Sequence, residues 1–176
     1  MINIHPIFVH FPIALFTIYA LFEIIRIKRF ETTDTITYIK SAFLIIGSIS
    51  SMLAVQTGEL VGETMEDGPL GRLLETHAFF AVGSSYIFGA LAIVYLIWLI
   101  EKTQSFTKYT SSGVGQSIWN LLLKIKAIFW KKGILILLAI VGLFFITVTG
   151  SLGGALVYGP DVDPVVKFFY TIFVGV

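Results

Sequence analysis

Residues 134–158 read ILILLAIVGLFFITVTGSLGGALVY without a single charge. A helix needs about 20 apolar residues to cross a hydrocarbon core of roughly 30 Å. This stretch is therefore a membrane span, and three more of the same kind precede it at 7–25, 42–58 and 78–100. The whole chain agrees. Its 176 residues are 56% hydrophobic and 13% charged, with a mean hydropathy of +0.90, a balance that a soluble domain of this length cannot hide. The expectation is an all-α membrane protein: residues 1–176 as one domain of four transmembrane helices in an up-down bundle, with the lipid bilayer as its first partner. The first run has no basic residues before it and carries His10 and Pro12, so it reads as a retained helix rather than a cleavable signal.

Charge sets the orientation. Arg26, Lys28, Arg29 and Lys40 lie between spans one and two, and Lys102, Lys108, Lys124, Lys126, Lys131 and Lys132 between spans three and four. These are ten of the twelve cationic residues. The loop between spans two and three instead carries Glu59, Glu63, Glu66, Asp67 and Glu75 against Arg72, and the tail adds Asp161 and Asp163 against Lys167. Positively charged loops stay in the cytoplasm, so both termini are expected outside, in the inner (cytoplasmic) membrane of a bacterium. A net charge of +1 gives no reason to expect nucleic acid as a partner; homo- and hetero-oligomers both stay open. Two further segments are amphipathic or apolar but short. Residues 116–132 mix Trp119, Leu122, Ile125 and Trp130 with lysines and suit a helix on an anionic leaflet, or an extension of span four. Residues 165–176 are too short to span and should lie in the outer interface or dock against a partner.

Membrane helices pack through small residues, because lipid is as apolar as leucine and close backbone approach is what favours association. Gly47, Ser51, Ala54 and Gly58 form such a stripe on span two, and Gly150 with Gly154 a shorter one on span four. By the same spacing His10 shares a face with Ala14 and Thr17, and His77 with Ala81, Ser84 and Ser85, so both should look inward. The chain has three histidines, and the topology sends His5, His10 and His77 to one end of the bundle. Two imidazoles on different helices can ligate a b-type haem axially, and Phe8, Phe11, Phe79 and Phe80 are at hand to wall it. His10 and His77 are the expected pair; His5, before Pro6 at the helix start, is a third ligand, a propionate partner or simply solvated. The bland alternative is interhelical packing with hydrogen-bonded histidines.

Carboxylates offer a second chemistry at that end. Glu59 with His10 or His77 would make a mixed nitrogen and oxygen site for zinc, iron or manganese, or a proton relay for quinol chemistry, although most of these acids read as solvated loop residues. The absence of cysteine excludes disulfides, covalent c-type haem, thiolate iron–sulfur clusters and thiol nucleophiles. No phosphate loop, HExxH or serine–histidine–acid pattern appears, so an enzyme is not the expectation.

The opening His5-Pro6-Ile7-Phe8-Val9-His10-Phe11-Pro12-Ile13-Ala14 resembles the start of the bacterial membrane-protein family catalogued as domain of unknown function 2231. The resemblance continues through Thr57-Gly58-Glu59, read as a turn after span two, the histidine opening span three, and Gly150-Ser151-Leu152-Gly153-Gly154-Ala155-Leu156-Val157-Tyr158-Gly159. Some members of that family are joined to c-type cytochrome or Rieske-like modules, which implies a respiratory setting and haem binding. Where the cytochrome-joined members carry histidines in the last motif, this chain has Ser151 and Tyr158. From these readings together the chain is expected to be a b-type cytochrome-like protein, exchanging electrons at the outer face with a quinol or a periplasmic redox protein. The competing expectations are a cofactor-free structural or docking subunit and a metal-handling membrane protein.

Overall fold

The computed structural model describes residues 4–25, 34–62, 70–104 and 113–175. Expectations resting on Arg26, Lys28, Arg29, Glu63, Glu66, Asp67, Lys108 and the side chain of Lys132 lie outside the described residues. The elements are α1 (His5–Ile25), α2 (Asp34–Gly62), α3 (Gly71–Thr103), α4 (Gly113–Phe129), α5 (Lys132–Tyr158) and α6 (Pro164–Phe173). Four of them, α1, α2, α3 and α5, are long and apolar enough to cross a membrane. They form an antiparallel ring in which α1 packs on α2 and α5, and α3 on the same two neighbours. The expected up-down bundle is therefore what forms.

The helices outrun the apolar runs that announce them. Hydropathy marks only the part of a helix that lipid surrounds, whereas backbone hydrogen bonding carries on into polar residues at either end. So Thr57-Gly58-Glu59 is not a turn but part of α2, and Glu75 and His77 lie inside α3.

Large apolar side chains such as Ile49, Met52, Ile93 and Leu137 point outward and are exposed, as lipid-facing positions require. Burying them gains nothing when the solvent is hydrocarbon, so cohesion comes from close contact. That contact is made by rings set against glycine. The Phe16 ring stacks on Phe88 with centroids 4.2 Å apart. A Cβ placed on Gly47 would lie 2.6 Å from Phe16, and one on Gly142 would lie 2.7 Å from Phe88. Two stacked rings thus fill the bundle centre between the bare backbones of α2 and α5. Gly83 makes the same kind of seat for Phe145. The α2 stripe is a packing seam as expected, with Gly47, Ser51 and Ala54 buried. The expected α5 pair is not: among the described residues a Cβ on Gly150 would have no neighbour within 4 Å, and one on Gly154 would meet only Val166 of α6. Four buried hydroxyls bond back to their own helices, Ser41 to the Thr37 carbonyl, Ser51 to Ser48, Ser84 to Ala81 and Thr149 to Phe145, so these pack closely without an orphan donor, whereas the buried Ser48 hydroxyl has no hydrogen-bond partner among the described residues.

The two short helices behave differently. On α4 no residue is buried; Lys126 pairs with Glu101 of α3, and Val114, Ile118, Leu121 and Ile125 form an exposed apolar stripe. Helix α6 starts at an Asp163 cap whose carboxylate accepts from the Val165 and Val166 amides. It then doubles back along α5: Val166 sits against Gly154, and Phe173 reaches Phe80 and Phe144. Its docking surface is this chain's own α3 and α5.

Candidate functional site

The start of α1, the end of α2, the start of α3 and the end of α5 meet at one end of the bundle, and two of the three histidines are fixed there. Thr57 donates its hydroxyl proton to the α2 carbonyls of Leu53 and Ala54, at 2.9 and 3.1 Å. Its oxygen is then an acceptor for His5 Nδ1, 3.1 Å away. His77 Nδ1 lies 3.0 Å from the Thr149 carbonyl of α5, which can only accept. In His77 Nδ1 therefore carries the proton, and the neutral imidazole has its lone pair on Nε2; His5 takes the same tautomer when the Thr57 hydroxyl is donated to its own helix.

Glycine makes both positions available. A Cβ on Gly58 would lie 3.0 Å from the His5 ring, and one on Gly153 would lie 3.2 Å from the His77 ring. Each imidazole lies against a helix where any side chain would crowd it. An imidazole whose Nδ1–H is held by a protein acceptor is oriented and made more basic at Nε2, the arrangement that serves iron and other metals as a ligand.

His10 is placed otherwise. It is exposed, as are Phe11 and Ala14 beside it, so the expectation that it looks inward does not hold. The face of α1 that packs is the one carrying Pro12, Phe16, Tyr19, Ala20 and Glu23. Glu59 is exposed on the last turns of α2. Among the described residues no three histidine, aspartate or glutamate side chains come together as a metal set. Of the other acids, Asp163 is spent on the α6 cap, and Asp161 pairs with Lys167 at 2.9 Å, which raises the Lys167 pKa above its ordinary value. Phe80 is buried, but against Phe145 and Phe173; Phe79 is exposed and Phe8 half-buried.

A second polar centre went unread in the sequence. Glu23 is 1% exposed and receives Lys40 Nζ at 2.7 Å and the Tyr95 hydroxyl at 2.8 Å. The available signal was an acid inside the first apolar run, four residues after Tyr19 and so on the same helix face.

Four apolar spans closed around buried hydroxyls and two anchored imidazoles define a multi-pass helical membrane protein. The family model described as predicted membrane protein, domain of unknown function 2231, matches residues 1–164, and the chain belongs to that family. No curated protein and no solved structure matches it.

Proposed function

We propose that this chain is a b-type cytochrome-like membrane protein whose haem b is held by His5 and His77 through Nε2. It exchanges electrons at the histidine end of the bundle with a lipid quinol or a periplasmic redox protein. The observation that supports this most is the matched anchoring of the two imidazoles, each with Nδ1 hydrogen-bonded to a neighbouring helix and each seated on a glycine. Haem supplies one-electron chemistry when bound. The protein's part is to hold two neutral imidazoles, to fix their tautomer through Thr57 and Thr149, and to keep the surrounding helix ends close. The charge pattern favours the outer side for this end, with Glu59, Glu75, Asp161 and Asp163 here and Lys40, Lys102, Lys124 and Lys126 at the other. The basic α4 would then lie on the anionic inner leaflet of a bacterial cytoplasmic membrane.

A second reading, a cofactor-free docking subunit, is favoured by one observation: the same two histidines already tie α1 to α2 and α3 to α5. The visible spectrum of protein purified in mild detergent from haem-sufficient cells separates the two. Sharp reduced bands of low-spin iron are expected, lost in His5→Ala and in His77→Ala and kept in His10→Ala. A haem-free wild type would overturn the cytochrome reading and leave the docking reading; loss in His10→Ala with retention in His5→Ala would overturn the assignment of His5.

A further inference from the structure

The end of the bundle opposite the histidines holds a charged centre with no part in that reading. Three helices converge on one carboxylate oxygen: Glu23 Oε2 of α1 takes the Lys40 ammonium of α2 at 2.7 Å and the Tyr95 hydroxyl of α3 at 2.8 Å. Tyr19, one turn before Glu23, meets Tyr95 edge-on with centroids 5.6 Å apart. From the α4–α5 junction the Trp130 ring meets Tyr95 at 5.1 Å, with Lys126, the partner of Glu101, over the Trp130 ring.

Ionisable groups in the hydrocarbon region are expensive and mark sites that handle charge. A tie between helices would be served by the ion pair alone. Here the polar groups run on past it, from Lys40, whose side chain is 12% exposed at the rim, through Glu23 and Tyr95 to Tyr19, which is fully buried. Every member of that row can donate or accept a proton. The row stops at Phe88, against which Tyr19 packs edge-on at 6.2 Å. Phe88 and Phe16 are both 0% exposed and occupy the bundle centre between Gly47 and Gly142, between this centre and the histidines.

We propose that Lys40, Glu23 and Tyr95 form a proton-exchange site open to the end of the bundle opposite the histidines, and that the Phe16–Phe88 stack insulates it from them. The ligand is a proton from water at that face. Its arrival at Oε2 converts the carboxylate to the acid and breaks the ion pair; Lys40 keeps its charge and swings to the rim, and Tyr95 keeps its own proton. Departure reverses each step.

Infrared difference spectra of the full chain in lipid nanodiscs, acidic minus alkaline, read this directly. A protonated-carboxyl band is expected in wild type that moves in heavy water, disappears in Glu23→Gln and returns displaced in Glu23→Asp. In Lys40→Met the band should already be present at neutral pH, a readout that a merely structural ion pair would not give and that remains if Glu23→Gln fails to fold. Spectra of Glu23→Gln or of Lys40→Met identical to wild type across the range would overturn the site. For the insulation, proteoliposomes with an entrapped pH dye should hold a proton gradient with wild type and lose it about tenfold faster with Phe88→Ala, a rise that corresponds to about 1.4 kcal/mol off the barrier. Equal rates would overturn the insulating role of the stack.

Discussion

Adding one methyl group at Gly47 tests how the bundle is held together. In Gly47→Ala the new Cβ would stand 2.6 Å from Phe16 Cε1 and 2.8 Å from Cδ1, so the ring must retreat by about 1 Å to regain an ordinary carbon–carbon separation of roughly 3.5–4.0 Å. Retreat is blocked, because the opposite face of Phe16 already stacks on Phe88 at 4.2 Å and Phe88 is itself seated on Gly142. Overpacking of this kind costs about 1–3 kcal/mol. Replacing glycine by alanine inside a helix also returns about 1 kcal/mol of helix propensity. Gly150→Ala shares that gain and meets nothing within 4 Å, so the difference between the two variants isolates the overpacking, about 1–3 kcal/mol in favour of Gly150→Ala. Reversible unfolding in mixed micelles, followed by circular dichroism, measures it. Adding Phe16→Leu to Gly47→Ala should recover part of the loss, since neighbours that share a void do not act additively. If Gly47→Ala is as stable as Gly150→Ala, the glycine-seated ring pair is not what holds α1 and α2 together.

Two other expectations are independent of that pair. Asp163→Ala removes the acceptor for the Val165 and Val166 amides; it should destabilise α6 by about 0.5–2 kcal/mol and speed hydrogen exchange across Val165 to Phe169 with α5 unchanged, and unaltered exchange there would refute the cap. A periplasm-active reporter fused after Val176 should be active and a cytoplasm-active one silent; the opposite pattern would invert the orientation drawn from charge.

Each span was legible because lipid demands long apolar runs, and the α2 seam was legible because bare backbone on one helix must face something. What the small-residue rule does not reveal is which helix supplies the bulk. On α2 the small stripe faces inward and receives a ring; on α1 the inward face is the bulky one, Phe16 and Tyr19, and the small side chain of Ala14 is exposed. Reading α1 by the rule that fits α2 turned His10 inward on paper. His5 was hidden for a related reason: its burial depends on Gly58, fifty-three positions later in the chain, and no local pattern announces that pairing. Glu23 escaped notice because it stands within a turn of the last residue of the first run, where an acid passes for a boundary residue. The destination of α6 was invisible to hydropathy, which sees that ten residues cannot span but not that Phe169 and Phe173 fit the aromatic surface left by Phe144 and Phe80.

The ring pair also has a bearing on biogenesis. Phe16 and Phe88 belong to helices that lie across the ring from each other, and the seat for Phe88 is on α5, the last of the four spans to leave the ribosome. A nascent chain that has released only α1 and α2 can bring Phe16 against Gly47, but its other face stays open to lipid until α3 arrives. Even then Phe88 has no wall until Gly142 is inserted. The centre of this bundle is therefore completed by the last of its four spans, so a chain stalled before α5 presents an unclosed aromatic surface inside the bilayer.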